Sequence, residues 1–529
     1  MRIDADVAIV GSGFAGALTA LALRRRGTRV VLVERGRHPR FAIGESSTPL
    51  ANLLIEELAD KYDLPQIRVF SKWGTWQRSR PDVAGGLKRG FTFYFHTPGR
   101  AFEDDETHAR QLMVAASPND TVGDTHWYRP DFDLNLVREA EHAGVIYLDE
   151  TTIDRVDVRA SRPSLEGTRH GESVRVDASF LVDASGPRGF LARALQLDAP
   201  PLTWLPPTRA VYTHFEGVTR WADTDVGRAF QGGQPPYAAD DAALHHVFPG
   251  GWIWVLRFNN GITSAGAALL DGPVEGGRRT TEWDDLLDAF PSIREQFAGA
   301  RVVAPWFHSP HLAFRTSQVV GANWALLPSA AGVIDPLLST GFPLTLLGIH
   351  RLLNILETGP SESALREYER LTLAELDATE MLVAALYRSM HDVPLFKKLT
   401  LLYFAAASFS EAARRLGRPE LAPGFLLHAH PSFGGELHTC CAIALASPQG
   451  RAREELLRTI DAAIEPFDIA GLHDASRRDW YPALAEDLVS NAAKLQATTG
   501  EVALLLERCG FDASQSTTMS AAGPTRNSA

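Results

Sequence analysis

The chain has 529 residues, of which 45% are hydrophobic and 22% charged, and its 52 Lys and Arg against 64 Asp and Glu leave a net charge of −12. At roughly 150 residues per domain that is a soluble globular protein of several domains, not a disordered, collagen-like or coiled-coil chain. Without a Lys/Arg run, the acidic total argues against a general nucleic-acid or membrane-surface binder and for small-molecule partners.

In chain order, Ala5-Asp6-Val7-Ala8-Ile9-Val10 reads as a buried parallel strand that runs into Gly11-Ser12-Gly13-Phe14-Ala15-Gly16. An Ala/Leu-rich helix over 15–26 follows, Gly27 ends it, and Arg29-Val30-Val31-Leu32-Val33-Glu34 is a second strand closing on an acid. Strand, glycine turn, helix, strand and acid within about 30 residues are the parts of a dinucleotide site. The glycines make the tight turn and let backbone approach a pyrophosphate, the helix N-terminus offers free N–H groups, and Glu34 can accept from ribose hydroxyls.

Beyond that unit, residues 131–143 read as a helix, 145–183 as short strands, and 205–320 as sheet-rich. The apolar spacing turns helical over 343–388 and 395–416. Pro/Gly-rich stretches at 200–207 and 231–237 are the best interior linkers, the small polar tail from about 513 reads as disordered, and no internal repeat is present. No uncharged apolar stretch approaches the roughly 20 residues of a membrane span. The N-terminus enters the first strand without an apolar leader, and Cys440, Cys441 and Cys509 cannot form a disulfide framework, so the expectation is a cytoplasmic protein. Only six residues are lysines: Lys61, Lys72, Lys88, Lys397, Lys398 and Lys494. A lysine inside the glycine- and aromatic-rich run 86–95 therefore stands out, since an amine can do chemistry that a guanidinium cannot.

The glycine turn, Glu34-Arg35 and His38-Pro39-Arg40-Phe41-Ala42-Ile43-Gly44-Glu45-Ser46 together resemble the FAD-binding region of the flavin-dependent halogenases. Arg129-Pro130-Asp131-Phe132-Asp133 is similar to that family's Arg/Asp turn, and Val182-Asp183-Ala184-Ser185-Gly186 to its second flavin segment. Val333-Ile334-Asp335-Pro336-Leu337-Leu338-Ser339-Thr340-Gly341 matches its FxxPxxSxG pattern with Val333 in place of Phe. The resemblance covers roughly residues 1–350. It implies an α/β, hydroxybenzoate-hydroxylase-like FAD-binding fold with a β-rich substrate domain and a helical C-terminal region. The divisions expected are 1–204 with 316–360 for FAD (segments near 90–130 falling to the substrate side), 205–315 for the β-rich domain, 361–512 for the helices, and 513–529 for the tail.

By the same resemblance, FAD is held by Gly11, Gly13, Phe14, Ala15, Gly16, Glu34, Arg35, Gly44, Glu45, Ser46, Arg129, Asp183, Asp335 and Gly341. Ser339, Thr340 and Gly341 at a helix start would offer N–H groups to chloride or bromide, which is compatible with Ser339 or Thr340 being an ordinary helix N-cap. Gly86-Leu87-Lys88-Arg89-Gly90-Phe91 resembles the family's K-x-G-x-x-F segment, so Lys88 is the implied catalytic lysine, with Lys72 its competitor and a solvated side chain the plain alternative. Trp252 and Trp254 share one strand face. They resemble the family's W-x-W-x-I-P screen between flavin and substrate, although Leu256 and Arg257 replace Ile and Pro, and core packing explains them equally.

Two further departures bear on substrate. Leu327-Pro328-Ser329-Ala330-Ala331-Gly332 lacks the Gly-Asp of many relatives, and Leu338 stands where free-tryptophan halogenases carry Glu. The resemblance thus implies a reduced-FAD- and oxygen-dependent halogenase acting in secondary metabolism on a phenolic or otherwise electron-rich ring, free or tethered to a carrier protein. The absence of an NAD(P)H motif points to a partner flavin reductase. His245, His246, His308 and His311 are open as the base for a phenolic proton. The cluster His428, His430, His438, Cys440, Cys441 matches no zinc spacing, so no metal is expected. The alternatives are a related FAD-dependent hydroxylase, reductase or dehydrogenase that uses no halide, and a non-catalytic flavoprotein.

Overall fold

The computed structural model describes residues 1–187, 189–229, 233–271 and 283–511; the expected tail 513–529 and the start of the 231–237 linker lie outside them. Val7–Val10 and Val30–Val33 are buried at every position, as a strand covered on both faces must be. They lie side by side in a six-stranded sheet with the order Val320–Gly321, Trp324–Leu326, Phe180–Asp183, Val7–Val10, Val30–Val33, Ile146–Leu148. All neighbours are parallel except the antiparallel edge strand Val320–Gly321. The helix Phe14–Arg25 crosses over between the central strands with residues 14–23 buried.

A second, larger sheet carries nine strands in the register Arg301–Val302, Thr208–Glu216, Ile262–Leu270, Gly251–Arg257, Ala243–Phe248, Gly90–Phe95, Gln111–Ala115, Trp480–Tyr481, with Phe307–Ser309 also on Thr208–Glu216. It recruits strands from both ends of the chain, 90–115 and 480–481, beside those between 208 and 309. The small antiparallel pair Gly85–Lys88 and Asp124–Trp127, in which Lys88 faces Asp124, links the two sheets.

The C-terminal part is helical, built from Gly341–Thr358, Glu362–Ser389, Val393–Arg415, Phe433–Leu445 and Gly450–Ile464. The helical span expected over 343–388 is two helices. Gly359 adopts φ 91° and Pro360 has no N–H to continue the ladder, while Ser361 caps the second helix through Ala364. Val393–Arg415 lies against the helix Pro49–Tyr62, where Arg414 pairs with Glu57 at 2.7 Å and Arg415 with Glu56 at 3.1 Å.

At the junction sits Trp127, fully buried and stacked between Phe132 (4.4 Å) and Phe342 (4.1 Å), with Phe14 edge-on at 5.5 Å. One indole thereby joins the glycine-loop helix, the linking strand, the helix Arg129–His142 and the helix that begins at Gly341. Close approach also fixes Gly16, where a Cβ would lie 1.9 Å from the Gly11 carbonyl oxygen. Gly16→Ala should therefore cost about 1–3 kcal/mol through overpacking. Gly435→Ala, on an exposed helical site with nothing within 4 Å of the added carbon, should leave stability equal or higher by up to about 1 kcal/mol. Thermal melts of the two variants check both signs.

Candidate flavin and substrate site

The glycine turn presents a cradle for an anion. Gly13 ends the loop as an uncapped helix N-cap, and the N–H groups of Gly13, Phe14 and Ala15 have no acceptor among the described residues. A Cβ at Gly13 would lie 3.4 Å from Arg129 Nη2, 3.6 Å from Asp133 Oδ2 and 3.9 Å from Arg40 Nη2, so two guanidinium groups and the carboxylate that pairs with Arg129 border the space that the glycine leaves. Free backbone donors, a helix dipole and two cations around a vacant side-chain volume fit a pyrophosphate. Glu34 closes the second strand with Oε2 accepting from Ser12 N at 3.0 Å and Oε1 from Gly36 N at 2.9 Å, and Arg40 pairs with it at 3.1 Å. The Arg40 charge and these donors outweigh burial and lower its pKa. It is thus a carboxylate held at the position expected for ribose recognition, and the residues present fit FAD.

Not every residue expected at the cofactor faces this space. Arg35 is exposed. Asp183 is spent within its own turn, Oδ1 accepting from Ser185 N and Oγ and Oδ2 from Leu191 N at 2.6 Å. Gly11 and Gly16 serve packing: a Cβ on Gly11 would meet the Ala184 carbonyl at 2.5 Å.

Further along, a cavity of ≈ 290 Å³ opens between the two sheets. Gly44, Glu45 and Ser46 line it from one side, Trp252, Trp254 and His245 from the large sheet, and Asp335 with Ser339, Thr340 and Gly341 from the helix start. The strap 43–46 is held from below by Arg129, whose Nη1 donates to the carbonyls of Ile43 (3.1 Å) and Gly44 (2.8 Å) while Nε and Nη2 grip Asp133. Glu45 is committed to His214 Nε2 at 2.9 Å. At the helix start neither Ser339 nor Thr340 caps: Ser339 takes φ 54°, the Thr340 side chain makes no capping bond, and the N–H groups of Thr340, Gly341 and Phe342 have no acceptor among the described residues. A Cβ on Gly341 would touch nothing within 4 Å, so these donors face open cavity. Asp335 is buried and bonded to Leu337 N and to Tyr387 Oη at 2.8 Å, which in turn receives Trp252 Nε1 at 3.1 Å. Burial pushes its pKa up to about 7. Tyr387, on a C-terminal helix, has no sequence signal that ties it to Asp335.

Lys88 is fully buried. Its Nζ donates to Ser46 Oγ at 2.8 Å and to the Ser47 carbonyl at 2.6 Å, and sits 3.7 Å from the centre of the Phe91 ring. Ser46 lines the first cavity, whereas Phe91 lines a second cavity of ≈ 180 Å³ walled by the linking segments and the C-terminal helices, among them Val114, Tyr403, Phe404, Leu484 and Leu505. Lys88, itself in the lining of neither, thus stands between a lining residue of each. Burial pushes its pKa down to about 7, against the pull of Asp124. The competitor Lys72 lines the second cavity and pairs with Asp124 at 3.5 Å. Asp124, not foreseen as a site residue, also accepts from Asn52 at 2.8 Å, and burial raises its pKa.

The histidines considered as bases are placed elsewhere. His245 lines the first cavity, and burial lowers its pKa to about 3; His246 is bonded to His96 and Gln296 at 2.9 Å each. His311 lies on the first cavity, and His308 is exposed. Among the described residues no group of three or more His, Cys, Asp or Glu could hold a metal ion, and no helix is long and apolar enough to cross a membrane.

A family model for tryptophan halogenase matches residues 122–401, and one for an NAD(P)-binding Rossmann-like domain matches residues 9–49. The monodechloroaminopyrrolnitrin halogenase PrnC of Pseudomonas fluorescens is 31% identical over 404 residues, 74% of this chain and 69% of that protein. The tetracycline 7-halogenase of Kitasatospora aureofaciens is 30% identical over 424 residues, 76% of this chain and 73% of its own. The crystal structure of halogenase PltM in complex with phloroglucinol and FAD superposes with a TM-score of 0.79 at 25% identity, covering 90% of this chain and 99% of that one. With a glycine cradle that fits FAD and relatives of this kind, the chain belongs to the tryptophan-halogenase family of flavin-dependent halogenases.

Proposed function

We propose that this protein chlorinates or brominates a phenolic or otherwise electron-rich aromatic ring, using oxygen and FAD reduced by a separate flavin reductase. The observation that carries the reading is Lys88 Nζ, 2.8 Å from a side chain of the first cavity and 3.7 Å from a ring of the second. Bound and reduced, FAD supplies with oxygen the oxidising power that turns halide into hypohalous acid. The protein's own part is placement. Arg129 holds the strap 43–46 that would flank the flavin ring, and the free N–H groups at Thr340 and Gly341 are suited to a halide at the positive end of a helix. Trp252 and Trp254 close the first cavity toward the large sheet and would keep a substrate ring away from the flavin.

Lys88 is suited to donate. Two acceptors fix its Nζ, a third N–H of the ammonium remains for the hypohalous acid, and Asp124 across the strand pair favours the charged form. With Phe91 beneath it the amine orients the electrophilic halogen toward the second cavity, where the ring would lie. The absence of a carboxylate at Leu338, together with relatives named for tetracycline and found with phloroglucinol, supports a ring that activates itself through its own substituents.

Mass spectrometry of products from phenols, indoles and pyrroles, incubated with the protein, FAD, a flavin reductase, NADH, oxygen and bromide, tests the reading. Brominated phenol is expected, with Lys88→Met lowering its formation at least a hundredfold; oxygenated or dehydrogenated product formed without halide would assign a halide-independent oxidoreductase instead. Because burial holds the folded-state pKa of Lys88 near 7, below its unfolded value, unfolding takes up a proton between pH 7 and the usual lysine range. This amine therefore costs stability at neutral pH and less as pH rises. Lys88→Met should accordingly melt no lower than wild type at pH 7, so that lost activity is not lost fold. Product formation should fall as pH rises through about 7, with flavin reduction followed separately as the control; a rise instead would favour the neutral amine as the reacting form.

A further inference from the structure

Of the described side chains lining the second cavity, three are charged: Lys72, Glu411 and Arg415. Lys72 is paired with Asp124, and Arg415 is shared between two carboxylates, its Nη1 3.1 Å from Glu56 and its Nε 2.7 Å from Glu411 Oε1. The Tyr403 hydroxyl donates to the Leu338 carbonyl and the Ser408 hydroxyl to that of Phe404. Glu411 Oε2 has no donor among the described residues and is accessible, while Arg415 Nη2 and Ser117 Oγ of the same lining are buried without a partner. Among the described residues Glu411 supplies the only carboxylate of the lining, and it lies outside the span matched by the family model.

Its place along the wall follows from the helix. Phe404, Ala407, Ser408 and Glu411 all line the cavity from Val393–Arg415, as residues spaced by three, four and seven on one helical face do. Phe404 packs on Phe91 with centroids 5.1 Å apart, and Phe91 is the ring that carries the Lys88 amine. Glu411 is two helical turns beyond, about 10 Å of rise. The walls between are apolar, including Val114, Leu484 and Leu505. The cavity thus has Phe91, the ring beneath the Lys88 amine, on one side and a carboxylate oriented by Arg415 on another.

We infer that Glu411 recognises the substrate: its carboxylate accepts a hydrogen bond from a phenolic hydroxyl of a fused or extended aromatic system. This rests on the halogenase reading and names its substrate class. As the ring carbon takes the halogen and the halogen–oxygen bond breaks, positive charge spreads to the hydroxyl, whose proton passes to Glu411. The released hydroxide takes the ring proton and leaves as water, and Glu411 returns its proton to the oxygen, so that arene and hypohalous acid give haloarene and water.

Calorimetric titration of the FAD-loaded protein with 2-naphthol and with 2-methoxynaphthalene, which has no proton to donate, tests the assignment. A hydrogen bond to a charged acceptor predicts at least tenfold tighter binding of 2-naphthol. Glu411→Gln should shrink that preference and Glu411→Leu remove it, with melting temperatures checked for both variants. Equal affinities in the wild type, a preference that survives in Glu411→Leu, or no binding of either compound would overturn it. Bromination of 2-naphthol by the wild type, measured in parallel, separates the two readings: a lost preference with product formed removes Glu411 alone, and a kept preference without product removes the halogenase reading while the recognition stands.

Discussion

An ammonium group buried in an aromatic wall is the constraint around which the site is arranged. Taking the amine of Lys88 out of water is unfavourable unless donors and charge are matched. The match comes from three directions: Ser46 and the Ser47 carbonyl from the strap, the Phe91 face from the large sheet, and Asp124 from the antiparallel partner strand. Each partner belongs to a different element, so the position of one amine couples the strap, the strand pair and the large sheet. Trp127, three residues beyond Asp124, anchors the same strand to the glycine-loop helix and to the helix that begins at Gly341.

The two cavities that meet at this wall differ in their chemistry. The first is bordered by unsatisfied backbone donors at two helix starts, at Phe14 and at Gly341, and by the Arg129 guanidinium, with the carboxyl groups of Glu45 and Asp335 also in its lining. Its free N–H groups at the helix starts suit negative charge, as pyrophosphate and halide require. The second is mostly apolar, with Lys72, Glu411 and Arg415 as the charged groups among its described lining and a few hydroxyls beside them. A neutral arene partitions into such a space by burial of its own surface, and the few polar groups decide its orientation. Separation of an anion-binding chamber from an apolar one, with a single amine between them, suits an oxidant made in one place and consumed in the other.

Much of the first chamber was legible in the chain. The βαβ unit shows itself because its strands are buried on both faces and the glycine turn is contiguous, and the observed helix Phe14–Arg25 differs by one residue at each end from the expected 15–26. The run Gly332–Gly341 and the strap 44–46 are likewise contiguous, so their backbone conformation is largely local. Individual roles were less legible. Asp183 reads as a cofactor ligand but satisfies its own turn, and Asp335 is bound to Tyr387, 52 residues away. A carboxylate's partner is a matter of what the fold brings opposite it, which no local pattern encodes.

Hydrophobic periodicity, glycine placement and a few contiguous motifs were enough, from the sequence alone, to settle the α/β class, the nucleotide-binding unit, the helical C-terminal region and the family to which the chain is similar. These properties depend on residues within one or two turns of each other. Tertiary structure alone decided that Lys88 rather than Lys72 stands between two cavities, that Asp124 faces it, and that a carboxylate from residue 411 shares a chamber with a strand at residue 91. Such pairings arise when the large sheet gathers strands from 90 to 481 and the C-terminal helices close over it. Their energies come from burial and charge between segments hundreds of residues apart, and that information enters only when the chain is folded.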